Sequence, residues 1–346
     1  MTTGPALVLR ADGGPGLGGG HVMRCLALAQ AWDEGGGRAV FGAATLAPSL
    51  RQRLVDEGFD CIPIEAAGGS AADAEATVAA AGSLGARVIV VDGYQFTPAF
   101  HRRLRDAGLK VAAIDDNGEI GACIDDLVIN PNRHAAPALY PQRADHTGLL
   151  LGTNYALLRR EFRRWQGPLR QFPAQVRRVL VTLGAADPRN LTADVIASIG
   201  PALSSVDEIL VVVGGSNPHA DALADRAAQV PNCRLIRDPG PDLPRLMAAA
   251  DLAVCSGSTT MWEMASLGVP FIAIVIAENQ RQVVAAMAGD GYPAVDGAAV
   301  ARDLPPAVAA LAADAARREA LSRRARQLVD GRGAERVCEA LRALAT

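Results

Sequence analysis

A chain of 346 residues is long enough for two domains with separate cores, since single cores rarely grow past about 250–300 residues. Half of it is hydrophobic and 21% charged, the balance of a globular protein, and a net charge of −3 supplies no basic field for nucleic acid. Aromatic residues at 4% leave little for base-stacking platforms, and six cysteines without C-x-x-C spacing argue against zinc and for reduced thiols. No apolar run reaches the roughly 18 residues of a membrane span. No signal-type segment opens the chain, so a soluble, cytoplasmic protein is expected.

The first apolar run, Ala6 to Leu9, reads as a strand over 6–12. It enters a glycine-crowded turn, Arg10-Ala11-Asp12-Gly13-Gly14-Pro15-Gly16-Leu17-Gly18-Gly19-Gly20-His21. Val22, Cys25, Leu26 and Ala29 then recur at the spacing of one helix face. Strand, side-chain-poor turn and helix start together make a place where backbone N–H groups approach a phosphate or sugar, with an imidazole at its mouth. Gly14-x-Gly16-x-x-Gly19 matches a dinucleotide fingerprint by letter. However, the second strand ends Phe41-Gly42-Ala43-Ala44-Thr45 with no acid for a ribose, and no Gly-Lys-Ser/Thr follows. A tight turn with a capping histidine remains the bland alternative to a substrate-binding turn.

Further strands are expected over 38–44, 60–64, 86–92, 110–116 and 127–130, with helices between them. One such helix is 49–57, where Ser49 and Gln52 have capping-box spacing. Arg87-Val88-Ile89-Val90-Val91-Asp92 and Lys110-Val111-Ala112-Ala113-Ile114-Asp115 are continuous apolar runs ending in an acid, as in a parallel sheet covered on both faces. Tyr94 follows the first of these. Between about 152 and 176 the rhythm breaks, at a charged stretch and Gly167, Pro168 and Pro173, which reads as a connection between domains. It restarts with strands over 177–183, 208–214, 233–237, 252–256 and 271–276. The last thirty residues read as helices broken near Asp330-Gly331-Arg332-Gly333.

The expected fold class is therefore α/β: two Rossmann-like domains whose parallel sheets face across a cleft, with ligands outside the carboxyl ends of the strands. The expected domains are 1–165, carrying the histidine turn, and 166–326, with a C-terminal helix at 327–346 free to pack back on the first.

Three segments of the second half carry chemistry. Asp251-Leu252-Ala253-Val254-Cys255-Ser256-Gly257-Ser258-Thr259-Thr260-Met261-Trp262-Glu263 is again strand, small-residue turn and helix, suited to a diphosphate. Its bland alternative is a capping box formed by Thr260 and Glu263. Ala277-Glu278-Asn279-Gln280 opens a helix after a strand, and Asn279 serves either as an N-cap or as an amide at the ligand site. Thr182-Leu183-Gly184-Ala185-Ala186-Asp187-Pro188 is the first strand-end turn of this half. The five histidines form no H-x-x-x-H pair, and Asp115-Asp116 and Asp125-Asp126 are explained by caps and turns before any cation.

Taken in order, these motifs resemble a known family. Arg10-x-Asp12 and Gly18-x-Gly20-His21-x-x-Arg24-Cys25-Leu26-x-Leu28-Ala29 are similar to the opening of the UDP-2,4-diacetamido-2,4,6-trideoxy-β-L-altropyranose hydrolases of pseudaminic acid biosynthesis, relatives of MurG-type glycosyltransferases. The likeness continues through Val91-Asp92-x-Tyr94, Ile114-Asp115-Asp116, Tyr155-Ala156-Leu157-Leu158-Arg159, Gly184-x-x-Asp187-Pro188, Gly257 to Glu263, Glu278-Asn279-Gln280 and Asp330-Gly331-x-Gly333-Ala334-x-Arg336. It implies a GT-B fold with UDP held mainly by the second domain. It also implies metal-independent, inverting cleavage of the bond between anomeric carbon and oxygen, with no cofactor.

Under this resemblance His21 is the general base, Tyr94 and Asn279 stand at the sugar and reacting centre, and Glu263 holds the ribose. Candidate UDP and diphosphate contacts are Gly20, Gly184, Ser256, Gly257, Ser258, Thr259 and Thr260. Candidate sugar contacts are Asp12, Gly18, Tyr94, Asn279 and Gln280. The partners expected are the UDP-sugar and the UDP product, with no obligate protein partner. Gly93, Ala185-Ala186 and Ser258 depart from the usual family pattern and bear on which sugar is used. A glycosyltransferase, a UDP-sugar epimerase and a nucleotide-sugar-binding protein without turnover are the rival readings.

Overall fold

Strands form where apolar residues run uninterrupted, and helices where they recur every three or four residues. The computed structural model describes residues 4–14, 16–184, 187–200, 203, 206–215 and 217–345. Pro15 of the glycine turn and Ala185-Ala186 of the Gly184 turn lie outside the described residues. In chain order the elements are β1 (Ala6–Ala11), α1 (Gly20–Glu34), β2 (Arg38–Ala43), α2 (Pro48–Asp56), β3 (Asp60–Pro63), α3 (Ala71–Ser83), β4 (Val88–Asp92), α4 (Pro98–Asp106), β5 (Lys110–Ile114), β6 (Leu127–Asn130) and β7 (Gly148–Leu151). A single turn, α5 (Arg160–Arg163), precedes β8 (Arg178–Thr182), α6 (Leu191–Ile199), β9 (Glu208–Val213), α7 (Ala220–Ala228), β10 (Cys233–Arg237) and α8 (Leu243–Ala248). Then come β11 (Leu252–Ser256), α9 (Thr259–Ser266), β12 (Phe271–Val275), α10 (Arg281–Gly289), β13 (Ala294–Asp296), α11 (Val300–Ala313), α12 (Ala315–Leu328) and α13 (Gly333–Ala345).

The chain divides into two compact units, Met1–Arg160 with Gly331–Thr346, and Glu161–Asp330. The first holds a parallel sheet in the order β3-β2-β1-β4-β5-β6-β7, the second one in the order β10-β9-β8-β11-β12-β13. Both are α/β Rossmann-like sheets. In each, the strand order reverses beside its first strand, between β1 and β4 and between β8 and β11. Such a reversal opens a crevice at the carboxyl ends of the two strands, where open α/β sheets bind ligands.

Alternation along β1 divides the first unit's core. Leu7, Leu9 and Ala11 face α1 and α13, meeting Cys25, Leu26, Val337 and Leu341. Val8 faces the other way, with Phe100 and Leu104 of α4. Helix α13 is tied to α1 by Arg342, whose guanidinium lies 4.6 Å from the Trp32 ring and donates to the Trp32 carbonyl at 3.0 Å. Among the described residues no helix is long and apolar enough to cross a membrane.

Three details differ from the sequence expectation. β7 and β13 are strands the apolar pattern did not announce. They are edge strands of four and three residues, too short to display alternation. Helix α2 begins at Pro48 with no side-chain cap, so Ser49 and Gln52 do not form a capping box. Proline's fixed φ suits the first helical turn, and Gln52 instead donates to Asp56.

On the α3 side of the first sheet sits a fully buried cation, Arg10. It pairs with both oxygens of Asp73, at 2.9 and 2.7 Å, and both of Asp12, at 2.8 and 3.0 Å. Burial works against its charge, but the bonds to Asp73 and Asp12 outweigh it and raise its pKa. Breaking a buried pair from one side leaves an uncompensated charge, which costs about 3–5 kcal/mol. Asp73→Ala is therefore expected to remove most of the hydrogen-exchange protection of the β1 amides. Thr77→Val, which loses only the hydroxyl bond to Asp73 at 3.0 Å, should cost about 1 kcal/mol. Equal small losses in both variants would contradict the account.

The acid limb of stability follows from Asp12. Burial raises its pKa, but Arg10 and the Thr45 and Ala44 amides together hold it below the ordinary value. Its folded pKa is thus lower than its unfolded one. Its contribution is complete above about pH 4 and is lost as pH falls through the folded value, which acid titration followed by circular dichroism should register.

Candidate active site

The switch point of the first unit brings the glycine turn after β1 beside the end of β4. The turn closes on itself through paired bonds between Gly14 and Gly18, at 2.9 Å each way, with Gly18 at φ +71°, a conformation glycine adopts without strain. Helix α1 then starts at Gly20, capped by the Gly19 backbone without any side-chain cap, so His21 is not a capping residue. Its ring is instead turned toward β4. Nδ1 lies 2.7 Å from Oδ1 of Asp92, the last and fully buried residue of that strand.

Asp92 is the anchor of this arrangement. Arg24, one helical turn beyond His21, donates to it from Nε at 2.5 Å and from Nη2 at 2.6 Å. Burial alone would raise the Asp92 pKa, but the charges of Arg24 and then His21 reverse this and hold it far below the usual carboxylate range. An ionised carboxylate only accepts hydrogen bonds, so the contact at 2.7 Å assigns the imidazole proton to Nδ1. In the neutral ring Nε2 then carries the lone pair. The His21 side chain keeps 13% of its surface exposed, enough for a water to reach it.

Arg24 also reaches Asp116, donating from Nη1 to both oxygens at 2.7 and 2.9 Å. Asp116 is presented by the loop after β5, which folds around Asp115. The Asp115 carboxylate accepts the amides of Asn117, Gly118, Glu119 and Ile120 at 3.1–3.3 Å. Tyr94 completes the group. Its hydroxyl donates to Asp116 at 3.0 Å, and its ring stands edge-on to His21 at 5.1 Å. At 54% exposure Tyr94 is open to a ligand. The fold thus brings His21 and Tyr94 together, whereas the sequence reading gave no role to Arg24, Asp92 and Asp116. The one available signal was the i, i+3 spacing of His21 and Arg24 on a helix beside strand-end acids.

Asp12 requires a correction. Its Oδ1 accepts from Arg10, Ala44 and Thr45, and its Oδ2 from Arg10 and Gln95. Buried and saturated with five donors, it has no lone pair left for a sugar hydroxyl, and it holds the turn in place.

In the second unit the switch between β8 and β11 juxtaposes the turns after these two strands. A Cβ placed on Gly184 would lie 3.9 Å from the Ser256 hydroxyl. Ser256 Oγ is 2.9 Å from Ser258 Oγ, which in turn is 3.2 Å from Thr260 Oγ1, a chain of three hydroxyls. Ser258, in extended conformation, is the N-cap of α9 and accepts from the Thr260 amide, so the capping box of Thr260 with Glu263 is not the one formed. Gly257 has no room for a side chain, because a Cβ would strike Val284 and lie 3.1 Å from the Gln280 Cβ. Thr259 opens α9, and Glu263 is buried one turn on. Burial and then the Glu263 charge push the Cys255 thiol up.

Asn279 is exposed in the turn Glu278–Gln280, whose N-cap is Ala277, so the N-cap alternative for Asn279 is not realised. The Gln280 amide oxygen accepts from the Ile276 amide at 3.0 Å. Asp187 caps α6 through the Leu191 and Thr192 amides. Among the described residues no group of three or more His, Cys, Asp or Glu side chains is arranged to hold a metal.

No known protein-family profile matches the chain. Over 294 residues it is 24% identical to the UDP-2,4-diacetamido-2,4,6-trideoxy-beta-L-altropyranose hydrolase of Campylobacter jejuni, covering 83% of this chain and 97% of that protein. A stretch of 116 residues, 33% of the chain, is 29% identical to the spore coat polysaccharide biosynthesis protein SpsG of Bacillus subtilis. A further match, 23% over 281 residues and 78% of the chain, is to the uncharacterized protein MJ1062 of Methanocaldococcus jannaschii. The chain spans 34% of the length of SpsG and 56% of that of MJ1062. Among solved structures, MurG of Acinetobacter baumannii superposes with a TM-score of 0.67 at 16% identity, over 98% of this chain and 99% of that one. The spinosyn rhamnosyltransferase SpnG complexed with thymidine diphosphate gives 0.63 at 17%, over 99% and 100%. The chain has the fold of these GT-B enzymes and is similar, over most of its length, to the altropyranose hydrolase that its ordered motifs resemble.

Proposed function

We propose that the chain is a UDP-sugar hydrolase acting on a 2,4-diacetamido-2,4,6-trideoxy sugar. Water attacks the anomeric carbon while His21 Nε2 takes its proton. The bond from that carbon to the diphosphate oxygen breaks, its electron pair leaves with UDP, and the imidazolium returns the proton to solvent. The anomeric centre inverts, because the nucleophile and leaving group occupy opposite faces. The observation that carries this reading is the contact of His21 Nδ1 with an ionised Asp92, which leaves Nε2 as the basic atom.

The other assignments rest on chemistry around this core. Gly184, Ser256, Gly257, Ser258, Thr259 and Thr260 receive the diphosphate, with hydroxyls and the amino end of α9 meeting the charge that grows as UDP departs. Glu263 accepts from the ribose, and Tyr94, Asn279 and Gln280 meet the sugar. Gly18 and Gly20 keep the histidine turn free of side chains. The similarity to the altropyranose hydrolase supports this substrate class, and the free sugar would feed synthesis of a pseudaminic-type sialic acid in the cytoplasm.

Two measurements test the reading. Incubated with the UDP-diacetamido sugar alone, the protein should release UDP and free sugar in equal amounts. UDP release only on addition of an acceptor would identify a transferase, and an isomerised UDP-sugar an epimerase. His21→Ala should lower kcat by about 10²–10⁴-fold, the usual worth of base catalysis, with UDP affinity by calorimetry unchanged. Near-normal turnover in that variant would remove His21 from the reaction.

A further inference from the structure

The second unit contains a cavity of about 210 Å³ that the proposed reaction leaves unused. Its place follows from the sheet order. The chain passes from β10 to β11, three positions away, and so must cross β9 and β8. At about 4.8 Å between neighbouring strands the crossing is roughly 14 Å wide. Helix α8, which makes it, has six residues and is therefore only about 9 Å long. It seats Leu246 on the sheet and leaves the amino ends of β8 and β9 incompletely covered. Register then decides which side chains border the gap. Leu180 lies beside Leu210, Arg178 beside Glu208 and Leu210 beside Arg234, so alternation places all five on the same face.

The result is a leucine floor under a guanidinium rim. Leu180, Leu210 and Leu246 are buried, whereas the Arg178 and Arg234 side chains that border the cavity are more than half exposed. Glu208 stands between these two cations and serves mainly one of them. It accepts from Arg234 Nε at 2.5 Å, while Arg178 Nε stays 3.8 Å away, beyond hydrogen-bond reach. Arg245, on the helix side, is chelated by Asp242 at 2.7 and 2.5 Å. The planar fork of Arg178 is therefore placed to take a further carboxylate, the partner its geometry matches. We infer that this cavity binds a small organic acid, with its carboxylate on Arg178 and an apolar body on Leu210 and Leu246. A bare inorganic anion would leave the leucines in contact with water and gain nothing from them. A volume below the roughly 300–1,000 Å³ of drug-sized sites limits the body to about one ring. All strands of this sheet run parallel, so the cavity lies at their amino ends. The Gly184 and Ser256 to Thr260 turns lie at the opposite, carboxyl ends. It is a separate site, whatever those turns hold.

Benzoate is the probe that tests this. Titrated into the full chain labelled with ¹³C at leucine methyls, it should displace the Leu210 and Leu246 resonances. The displacement should saturate with a dissociation constant on the order of 1 mM, ordinary for a ligand of so few atoms. Benzyl alcohol carries the ring without the charge, and formate the charge without the ring; each should bind about tenfold more weakly or worse. Arg178→Gln removes the fork while the Glu208 bond to Arg234 stays, so benzoate affinity should fall about tenfold with the free protein's methyl spectrum preserved. Leucine resonances that do not respond to benzoate overturn the inference. So does benzyl alcohol binding as tightly as benzoate, or benzoate binding Arg178→Gln as tightly as the wild-type protein. If Arg178→Gln fails to fold by circular dichroism, the ranking of the three probes on the wild-type protein decides. Because none of these readouts uses UDP release, a failure here and a failure of the hydrolase reading are told apart.

Discussion

The contact that organises the first unit's site is a carboxylate buried at the end of a central strand. Asp92 terminates β4 beside β1, where no water solvates it, and an ion in that position persists only if paired and hydrogen-bonded. Arg24 supplies the pairing charge and His21 a further donor, and both come from consecutive turns of α1, with the Cys25 thiol donating at 3.8 Å. The demand of one buried charge therefore fixes the rotation of α1, the direction of the imidazole and the nitrogen that holds its proton. Tyr94 inherits its place from the same source, because the guanidinium that satisfies Asp92 also draws in Asp116, and Asp116 receives the tyrosine hydroxyl.

The two units share one architecture and differ in the turns at the ends of their first and fourth strands. Each sheet reverses order beside its first strand, so each presents a pair of strand ends suited to a ligand. In the first unit those ends carry an ionic cluster with a titratable ring. In the second they carry hydroxyls, a helix N-terminus and a glycine pressed against α10.

The fold class and the separate turns were legible because parallel strands buried on both faces appear as continuous apolar runs, and because glycine and small polar residues mark the turns between them. The edge strands β7 and β13 were not, since each has only a few residues and one neighbour to satisfy. Of the site, His21, Tyr94 and the Ser256 to Thr260 turn were visible as local patterns. The ionic cluster was not, because its pairs join residues 68, 71 and 92 positions apart, and nothing in the intervening pattern dictates which acid meets which cation. The capping assignment slipped from Ser258 to Thr260 for a related reason. Both precede a helical run, and only the extended backbone of Ser258 decides which one is the cap.

The contrast between Asp12 and Asp92 shows how structure separates scaffold from chemistry when sequence treats the two alike. Each is an acid at the carboxyl end of a central strand, each is buried, and each faces an arginine. Asp12 is surrounded by donors that do not titrate near neutral pH: a guanidinium, two backbone amides and the Gln95 amide. Its interactions are constant over the working range, so it can only hold geometry. Asp92 spends one acceptor on an imidazole, the side chain whose ordinary titration lies between about pH 5 and 8, and that imidazole keeps access to water. A buried carboxylate whose partner can change charge couples the scaffold to a proton, and a carboxylate whose partners cannot is part of the frame.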